Sequence, residues 1–461
     1  MVLSVGASVI SKRNLQYHPL GVLIRARTPT TAPTSYRFPL EEDEPMTGPS
    51  ATIPRRSYLF LLVGTIGYGC FLFVWFSIAA FLTPITNQLG LSSTAAGLLN
   101  GAVPLMYIPF ALLSGLIIDR VGAYKAIGVG LLIVGFAQFG RGFAAGFPMM
   151  LALTLLLGLG GTGLTFGLPK LVSDLFPPER SGSMSSVYLI GLYAGTASAF
   201  GLGRPVLGPA LGGWRPLFVL SGIVTIAVAV GWIVLARLSD DIATLAPAAP
   251  EATDGAGEQA FSLSSILSDV RRVITHRDLQ LLVVIGIMYL FVTHGLQGWL
   301  TVILEGRGLT STVAASITSG LIIAQLLGTV ALPPLSDYLG KRREVIAVCG
   351  LLIFAGTAGI LLINRLTLAT VLLTVGSVGI GIGGLATLVR SLPLNMDGIE
   401  SKLAGTAVGL IFMVGEIGGF SGPFIVGFLE DLTGSFTPGL VLLSVSGLVV
   451  VLAAIPLQNV D

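Results

Sequence analysis

Glu416 and His294 are ionisable side chains inside long runs of apolar residues, where charge is costly to bury and such groups mark candidate functional sites. Glu416 lies about thirteen residues into its run, or roughly 20 Å along a helix. Its carboxyl group could carry a proton or pair with a cationic solute. His294 lies at a similar depth in another run, and its imidazole could exchange a proton. For each residue the alternative is structural: a carboxyl group hydrogen-bonded between helices, or a packed neutral ring.

Lys170 and Arg390 form a second group of candidates because they occupy matching positions in the two halves of the chain, 220 residues apart (390 minus 170). Near the ends of their apolar runs, they either extend to the lipid headgroups or form an anion-binding pair inside the protein. Arg204 is a third cation, for which a structural role is the alternative. Uncharged polar residues could line a cavity or join helices: Tyr68, Asn100 and Gln325.

The composition indicates an integral membrane protein built of helices. Of 461 residues, 53% are hydrophobic and only 10% are charged, whereas charged residues make up about a quarter of soluble domains. The 61 glycines favour close helix contacts in lipid over a β-barrel. A net charge of +2 gives no support for a nucleic-acid partner. We therefore expect the lipid bilayer to be the main surroundings of the chain.

Twelve apolar runs, most of them about 20 residues long, predict transmembrane helices in two pseudo-symmetric six-helix bundles. Residues 1–57 are predicted to be a cytoplasmic tail, of which the first 45 are either disordered or not translated. Residues 58–238 and 279–461 are predicted to be the two bundles, and 239–278 a cytoplasmic linker. The end of the linker has the apolar period of a surface helix at the membrane boundary, with a calmodulin-like partner as the alternative. The predicted spans are 58–84, 94–117, 124–145, 148–175, 184–208, 216–237, 279–304, 311–334, 344–363, 367–394, 403–429 and 437–457.

Two short charged turns indicate that the halves are copies of one unit. The two turns are 218 residues apart (337 minus 119), and a glycine-rich run recurs at 221 (379 minus 158). The glycine runs fit G-x-G-x-x-G but lie inside apolar runs, which favours helix packing over dinucleotide binding. The residues of these turns are candidates for a conformational hinge: Gly115, Asp119, Arg120 and Gly122 in the first, Asp337, Gly340, Lys341 and Arg342 in the second.

The distribution of basic residues predicts the orientation in the membrane. With the N-terminus in the cytoplasm, most lysines and arginines between the apolar runs also face the cytoplasm, and both termini and both charged turns lie on that side. Only five arginines then lie at or near the other face: Arg141, Arg204, Arg215, Arg307 and Arg365. We expect a multi-pass protein of the cell membrane.

The first charged turn resembles a motif of the major facilitator superfamily, G-x-x-x-D-R-x-G-R-K, between its helices 2 and 3. Gly115, Asp119, Arg120, Gly122 and Lys125 lie on or near this pattern, with Ala123 where the family usually has Arg. The second copy has Pro333 for the first Gly and Tyr338 for the first Arg. Further family-like phrases follow predicted helix 4, precede helix 6 and surround the end of helix 11, so that the resemblance covers Tyr58 to the C-terminus.

The resemblance implies that Asp119 accepts hydrogen bonds from the start of helix 11 in the other half, and that Asp337 faces helix 5 by symmetry. In such proteins the two halves rock about a central cavity. A carboxylate at a helix N-terminus contributes about 0.3–1 kcal/mol when exposed, enough to bias two conformers without locking either. The alternative is that Asp119 and Arg120 are solvated loop charges. Lys125 with Asp174 could replace the charge relay that Ala123 lacks.

Within the superfamily the chain loosely resembles the cyanate-type and nitrate/nitrite-type porters. Nitrate porters use an arginine within each of helices 2 and 8, and the corresponding predicted spans carry none. In helix 5, Arg204 stands where an antiporter pattern would have its second glycine, which counts against an exchanger.

We predict a secondary transporter that moves a small solute, an organic or inorganic anion or a small polar compound, by alternating access with proton coupling through Glu416. The alternatives are a drug or metabolite exporter by proton antiport, an uncoupled facilitator, and a membrane sensor that does not transport. The sequence has no nucleotide-binding loop or nucleophile–base arrangement. We therefore predict no enzyme activity, no cofactor and no metal, and we expect a monomer.

Overall fold

The computed structural model describes residues 53–239, 271, 275–362, 367–396 and 401–458. Nearly all of the predicted tail 1–57 lies outside the described residues. Most of the predicted linker 239–278, with its surface helix, also lies outside them.

The described residues contain twelve helices that are long and apolar enough to cross a membrane. Their outer surfaces expose leucine, isoleucine and valine side chains, as lipid contact requires. The all-α membrane fold predicted from the sequence is therefore confirmed. The twelve helices are α1 (Arg55–Ala80), α2 (Ser93–Val121), α3 (Ala123–Arg141), α4 (Phe147–Leu175), α5 (Pro178–Leu211), α6 (Trp214–Arg237), α7 (Arg277–Gly306), α8 (Ser311–Leu339), α9 (Arg342–Leu362), α10 (Leu368–Asn395), α11 (Ser401–Thr433) and α12 (Thr437–Ala454).

Helices α1–α6 form one bundle and α7–α12 the other, and the bundles meet where α2 packs on α11 and α5 on α8. We call the side of the molecule where α1 begins the terminal face, and the side where α1 ends the opposite face. Both charged turns, between α2 and α3 and between α8 and α9, lie on the terminal face. A short helix, Leu82–Leu89, follows α1 on the opposite face.

The charged turns are shorter than predicted, because the helices before them continue beyond the apolar spans. Asp119 lies in the last turn of α2 and Asp337 in the last turn of α8, so neither carboxylate is a loop residue. Gly122 and Gly340 follow with φ of 87° and 60°, values that favour glycine, and the next helix begins within two residues. Polar side chains at these helix ends can extend into the headgroup layer, which explains why apolar periodicity underestimated the length.

Helix α5 departs from regular α-helical geometry near its end on the opposite face. Residues Ala199–Leu207 form π-helical turns, and Pro205 lies among them. Proline lacks the backbone N–H and disturbs the regular hydrogen-bond ladder, and π turns are frequent at functional sites. This segment carries Arg204. The predicted span 184–208 is thus longer and less regular than expected.

The contact between α2 and α11 depends on glycines. A methyl group added to Gly97 or Gly101 of α2 would overlap the carbonyl oxygen of Pro423 or Phe420. One added to Gly427 of α11 would overlap that of Ser93. The two backbones therefore meet directly near the opposite face, as in other close helix pairs in membranes.

Candidate functional site

A cavity of about 1090 Å³, including its open mouth, lies between the two bundles. Helices α1, α2, α4 and α5 supply one wall, and α7, α8, α10 and α11 the other. Arg390, near the terminal face, is exposed, whereas His294, Gln297 and Gln325 at the inner end are buried. The cavity thus opens to the terminal face, and its size suits a small organic molecule.

Many of the polar residues that the sequence singled out line this cavity. They come from both bundles: Tyr68, His294, Gln325, Arg390 and Glu416. The structure therefore places the Glu416 carboxyl group, the His294 imidazole and the Arg390 guanidinium around the same cavity.

Lys170, by contrast, lies outside the cavity lining. Its Nζ atom is 3.7 Å from Asp119 and 3.6 Å from Asp174, in an exposed cluster at the terminal face. In this conformation the anion-binding pair of Lys170 and Arg390 anticipated from symmetry does not form, because the two carboxylates attract the lysine. Asp174 likewise pairs with Lys170 instead of the anticipated Lys125.

Asn100 also lies outside the cavity lining, where it joins helices of the two bundles. Its amide Nδ2 donates to the carbonyl oxygen of Gly298 over 3.4 Å. At the second turn, Asp337 accepts from Arg342 over 2.8 Å. Contact of Asp119 with the start of α11 stays a prediction, since residues 397–400 before that helix are outside the description.

Arg390 is the only lysine or arginine among the described residues that line the cavity. Its guanidinium carbon lies 4.1 Å from the centre of the Phe412 ring, a cation–π contact that fixes the group against α11. Tyr289 of α7 also lines this cavity. An exposed, oriented guanidinium can bind a carboxylate through two parallel hydrogen bonds.

Glu416 and His294 share a narrow space next to Gly419. Atom Oε2 of Glu416 is buried and has no hydrogen-bond partner among the described residues. A methyl group on Gly419 would lie 2.5 Å from this oxygen and 3.2 Å from the His294 ring. The imidazole also stacks on Trp75, with ring centres 5.5 Å apart. The carboxyl group is thus free to bind a proton or a solute.

Six other polar side chains of the cavity are paired with one another. The hydroxyl groups of Tyr107 and Thr165 are 2.8 Å apart, and that of Tyr193 lies 2.6 Å from Thr329. Gln297 donates to the carbonyl oxygen of the Gln325 side chain over 3.1 Å. The amide nitrogen of Gln325 has no partner among the described residues.

The opposite face is closed by a polar cluster that joins the bundles, which we call the gate: Thr83, Arg204, Glu305 and Ser311. Arg204 lies 3.2 Å from the Glu305 carboxylate and 3.1 Å from the Ser311 hydroxyl. The Thr83 hydroxyl donates to the same carboxylate. The Arg204 and Glu305 side chains are only 15% and 12% exposed, so solvent screens this pair less than a surface pair.

A second contact on the opposite face joins α11 to α2. The carboxylate of Asp431 accepts from the backbone N–H groups of Ser93 and Thr94, over 2.9 and 2.7 Å. Free N–H groups at a helix start favour such a negative partner. The contact that the resemblance implies for Asp119 at the terminal face is of the same kind, and Asp431 makes such a contact on the opposite face.

Glu305 and Asp431 are the functional candidates that sequence reasoning missed. Glu305 lies one residue beyond the predicted span 279–304, so the search for charges inside apolar runs did not include it. The available signal was Arg204, because a cation inside an apolar run requires a carboxylate partner. Asp431 was noted only as part of a family-like phrase.

Replacing Glu305 with glutamine should open the opposite face more often, because Arg204 loses its ionic partner. The reporter is a cysteine at cavity residue Thr293 in a protein without Cys70 and Cys349. We expect an impermeant maleimide added at the opposite face to label it at least about threefold faster than in the unmodified gate. Glu344→Gln removes a carboxylate from an exposed pair and should leave labelling unchanged. Equal rates in both variants would contradict the gate.

A twelve-helix membrane protein with a solute-sized cavity between two bundles, closed at one face, has the architecture of a secondary transporter. The sequence matches the family model described as Major Facilitator Superfamily over residues 64–423. The chain therefore belongs to the major facilitator superfamily, and the resemblance seen in its charged turns is confirmed. It is a transporter and not an enzyme.

Two of the similar proteins are named as transporters of organic acids. One, from Agrobacterium vitis and provisionally described as a tartrate transporter, is 27% identical over 396 residues, covering 81% of this chain and 86% of its own. Another is the 3-(3-hydroxy-phenyl)propionate transporter of Escherichia coli K12, 25% identical over 372 residues, covering 79% of this chain and 85% of its own.

The fold is also similar to that of a solved structure. A bacterial homologue of the human lysosomal transporter Spinster, in an inward-facing and unoccupied conformation, aligns with a TM-score of 0.72 and 19% identity. The alignment covers 87% of this chain and 97% of that protein. At this identity the likeness supports the fold alone.

Proposed function

We propose that this transporter moves a small organic acid across the membrane together with a proton, by alternating access. The observation that carries the proposal is the presence, in one cavity, of a single accessible guanidinium and a buried carboxyl group whose Oε2 atom has no hydrogen-bond partner among the described residues. The named relatives support it, because tartrate and 3-(3-hydroxy-phenyl)propionate share a carboxylate.

Arg390 of α10 contacts Phe412, one helical turn before Glu416 on α11, so the guanidinium and the carboxyl group lie on neighbouring parts of the same bundle. A solute carboxylate on Arg390 neutralises the cation that otherwise balances an ionised Glu416. Solute and proton binding then support each other, which favours movement of both in the same direction. His294, next to Glu416, is the second group through which a proton could pass.

Alternating access requires that the contacts on one face break while those on the other form. The observed conformation has Arg204–Glu305 and Asp431–α2 contacts on the opposite face, and a cavity open to the terminal face. In the reverse conformation, Asp119 and Asp337 would hold the terminal face closed. With the predicted orientation, the observed state faces the cytoplasm, where both termini lie. We also propose a monomer with bundles at 58–238 and 279–461.

Uptake into liposomes that contain the purified protein tests this proposal. The probes are radiolabelled tartrate, glucuronate and 3-phenylpropionate. We expect at least one of them to accumulate when the outside is more acidic, and to lose accumulation when the gradient is removed by a protonophore.

Each rival function gives a different result in this assay. A sensor would bind a probe without any uptake. A facilitator would equilibrate the probe to the same level with or without the gradient. A proton antiporter would accumulate the probe only when the lumen is the acidic side.

A further inference from the structure

We infer that the organic acid of the proposed function carries one carboxylate on an aromatic ring system with few hydroxyl substituents. This inference rests on the proposed function, and it names the chemical class of the solute. Three features of the cavity carry it: its single cation, its aromatic wall and the mutual pairing of several of its polar groups.

The charges of the cavity suit one carboxylate and not two. Among the described lining residues Arg390 is the only strong cation and Glu416 the only carboxyl group. A dicarboxylate would place its second negative charge in the cavity without an arginine or lysine, and an unpaired charge removed from water is strongly unfavourable. A solute with one carboxylate avoids this cost.

One part of the cavity wall consists largely of rings from the first bundle. The ring of Tyr107 is 5.8 Å from Trp75, at 61°, and 6.0 Å from Phe166, at 52°. On the other side of Trp75 the imidazole of His294 stacks nearly parallel, at 18°. These rings present both faces and edges, the two arrangements that a further aromatic ring prefers.

Several polar groups of the cavity are already paired with one another and are not free for hydroxyl substituents of a solute. The Tyr107–Thr165, Tyr193–Thr329 and Gln297–Gln325 pairs would have to break before they could bind a sugar-like solute. Two fully buried side-chain atoms of the cavity residues have no hydrogen-bond partner within the described part of the chain: the acceptor Oε2 of Glu416 and the donor Nε2 of Gln325. Their side chains are 6% and 4% exposed and line the cavity. A phenolic hydroxyl both donates and accepts, and could use either atom.

Competition binding to the purified full-length protein in detergent tests the inference with matched probes. We expect 3-phenylpropionate to bind about 3- to 10-fold more tightly than 3-cyclohexylpropionate, its saturated analogue, because only the aromatic ring gains from the ring wall. Glucuronate and tartrate should bind more weakly than both. Equal affinity of the two analogues, or tighter binding of glucuronate or tartrate, would overturn the inference.

The same assay separates this inference from the function on which it rests. If glucuronate bound more tightly and was taken up, the inference of an aromatic solute would be contradicted, whereas the proposal of organic-acid transport would still hold. No binding or uptake of any of the acids would remove both.

Trp75→Leu should abolish the preference for the aromatic analogue while changing the affinity for 3-cyclohexylpropionate by less than about threefold. Phe136→Leu is the matched control, because Phe136 is 59% exposed on the outer surface of α3. If Trp75→Leu does not fold, Phe166→Leu removes another ring of the same wall. An unchanged ratio of the two affinities in a folded wall variant would contradict the assignment.

Discussion

Replacing Arg390 with glutamine is expected to weaken organic-acid binding by roughly 100-fold and to remove uptake at micromolar concentrations. The variant keeps a polar side chain of similar length but loses the charge and the two-pronged hydrogen bonding that a carboxylate requires. The affinity of Arg390→Lys should lie between those of the unmodified protein and Arg390→Gln, since an ammonium group keeps the charge but lacks the planar pair of N–H donors. Titration calorimetry with 3-phenylpropionate and initial uptake rates measure the effect.

A matched control for this experiment is Arg180→Gln, which removes an arginine from the exposed first turn of α5. It should leave both binding and uptake unchanged. Arg390 is solvent-accessible, so its loss does not leave a buried cavity and the variant should fold normally. If Arg390→Gln bound the acid within about threefold of the unmodified protein, the anion site would have to lie elsewhere.

Glu416→Gln is expected to abolish accumulation driven by a pH gradient while leaving exchange of labelled for unlabelled acid. Glutamine retains the size and polarity of the protonated carboxyl group but cannot release a proton. The cavity can then reorient with solute bound, whereas net uptake no longer uses the gradient. Liposomes with an acidic outside measure accumulation, and preloaded liposomes without a gradient measure exchange.

For Glu416, the control is Glu179→Gln, an exposed carboxylate at the start of α5. It should accumulate the acid as the unmodified protein does. Full accumulation by Glu416→Gln would transfer the proton-carrying role to another group, and His294 would be the next residue to replace. Loss of exchange as well as accumulation would indicate that Glu416 binds the solute itself.

The sequence predicted the membrane class, the twelve spans and several cavity residues for one physical reason. Charged and strongly polar groups are rare inside apolar helices, so each exception carries information. Glu416 and His294 were found in this way, and they do line one cavity. The helix ends were less accurate, because α2 and α8 continue past their apolar residues to carry Asp119 and Asp337.

The sequence could not reveal which side chains meet across the bundles. Lys170 and Arg390 hold equivalent positions in the repeat, yet Asp119 and Asp174 draw the lysine to the surface while the arginine lines the cavity. Arg204 and Glu305 are 101 residues apart in the chain, and Arg204 lies on a π-helical segment that regular periodicity does not represent. Such pairings depend on the packed structure.

The glycine contacts between α2 and α11 have a consequence for how easily the opposite face separates. At Gly97, Gly101 and Gly427 the nearest atoms are carbonyl oxygens of the main chain, with the Phe420 and Trp299 rings next to the last two glycines. When the bundles move apart, entering water can hydrate these oxygens at once. A helix–helix contact filled with leucine side chains would instead expose apolar surface to water on separation, and would therefore resist separation more strongly. The glycines thus permit close contact between α2 and α11, and the free-energy cost of separating the two helices stays low.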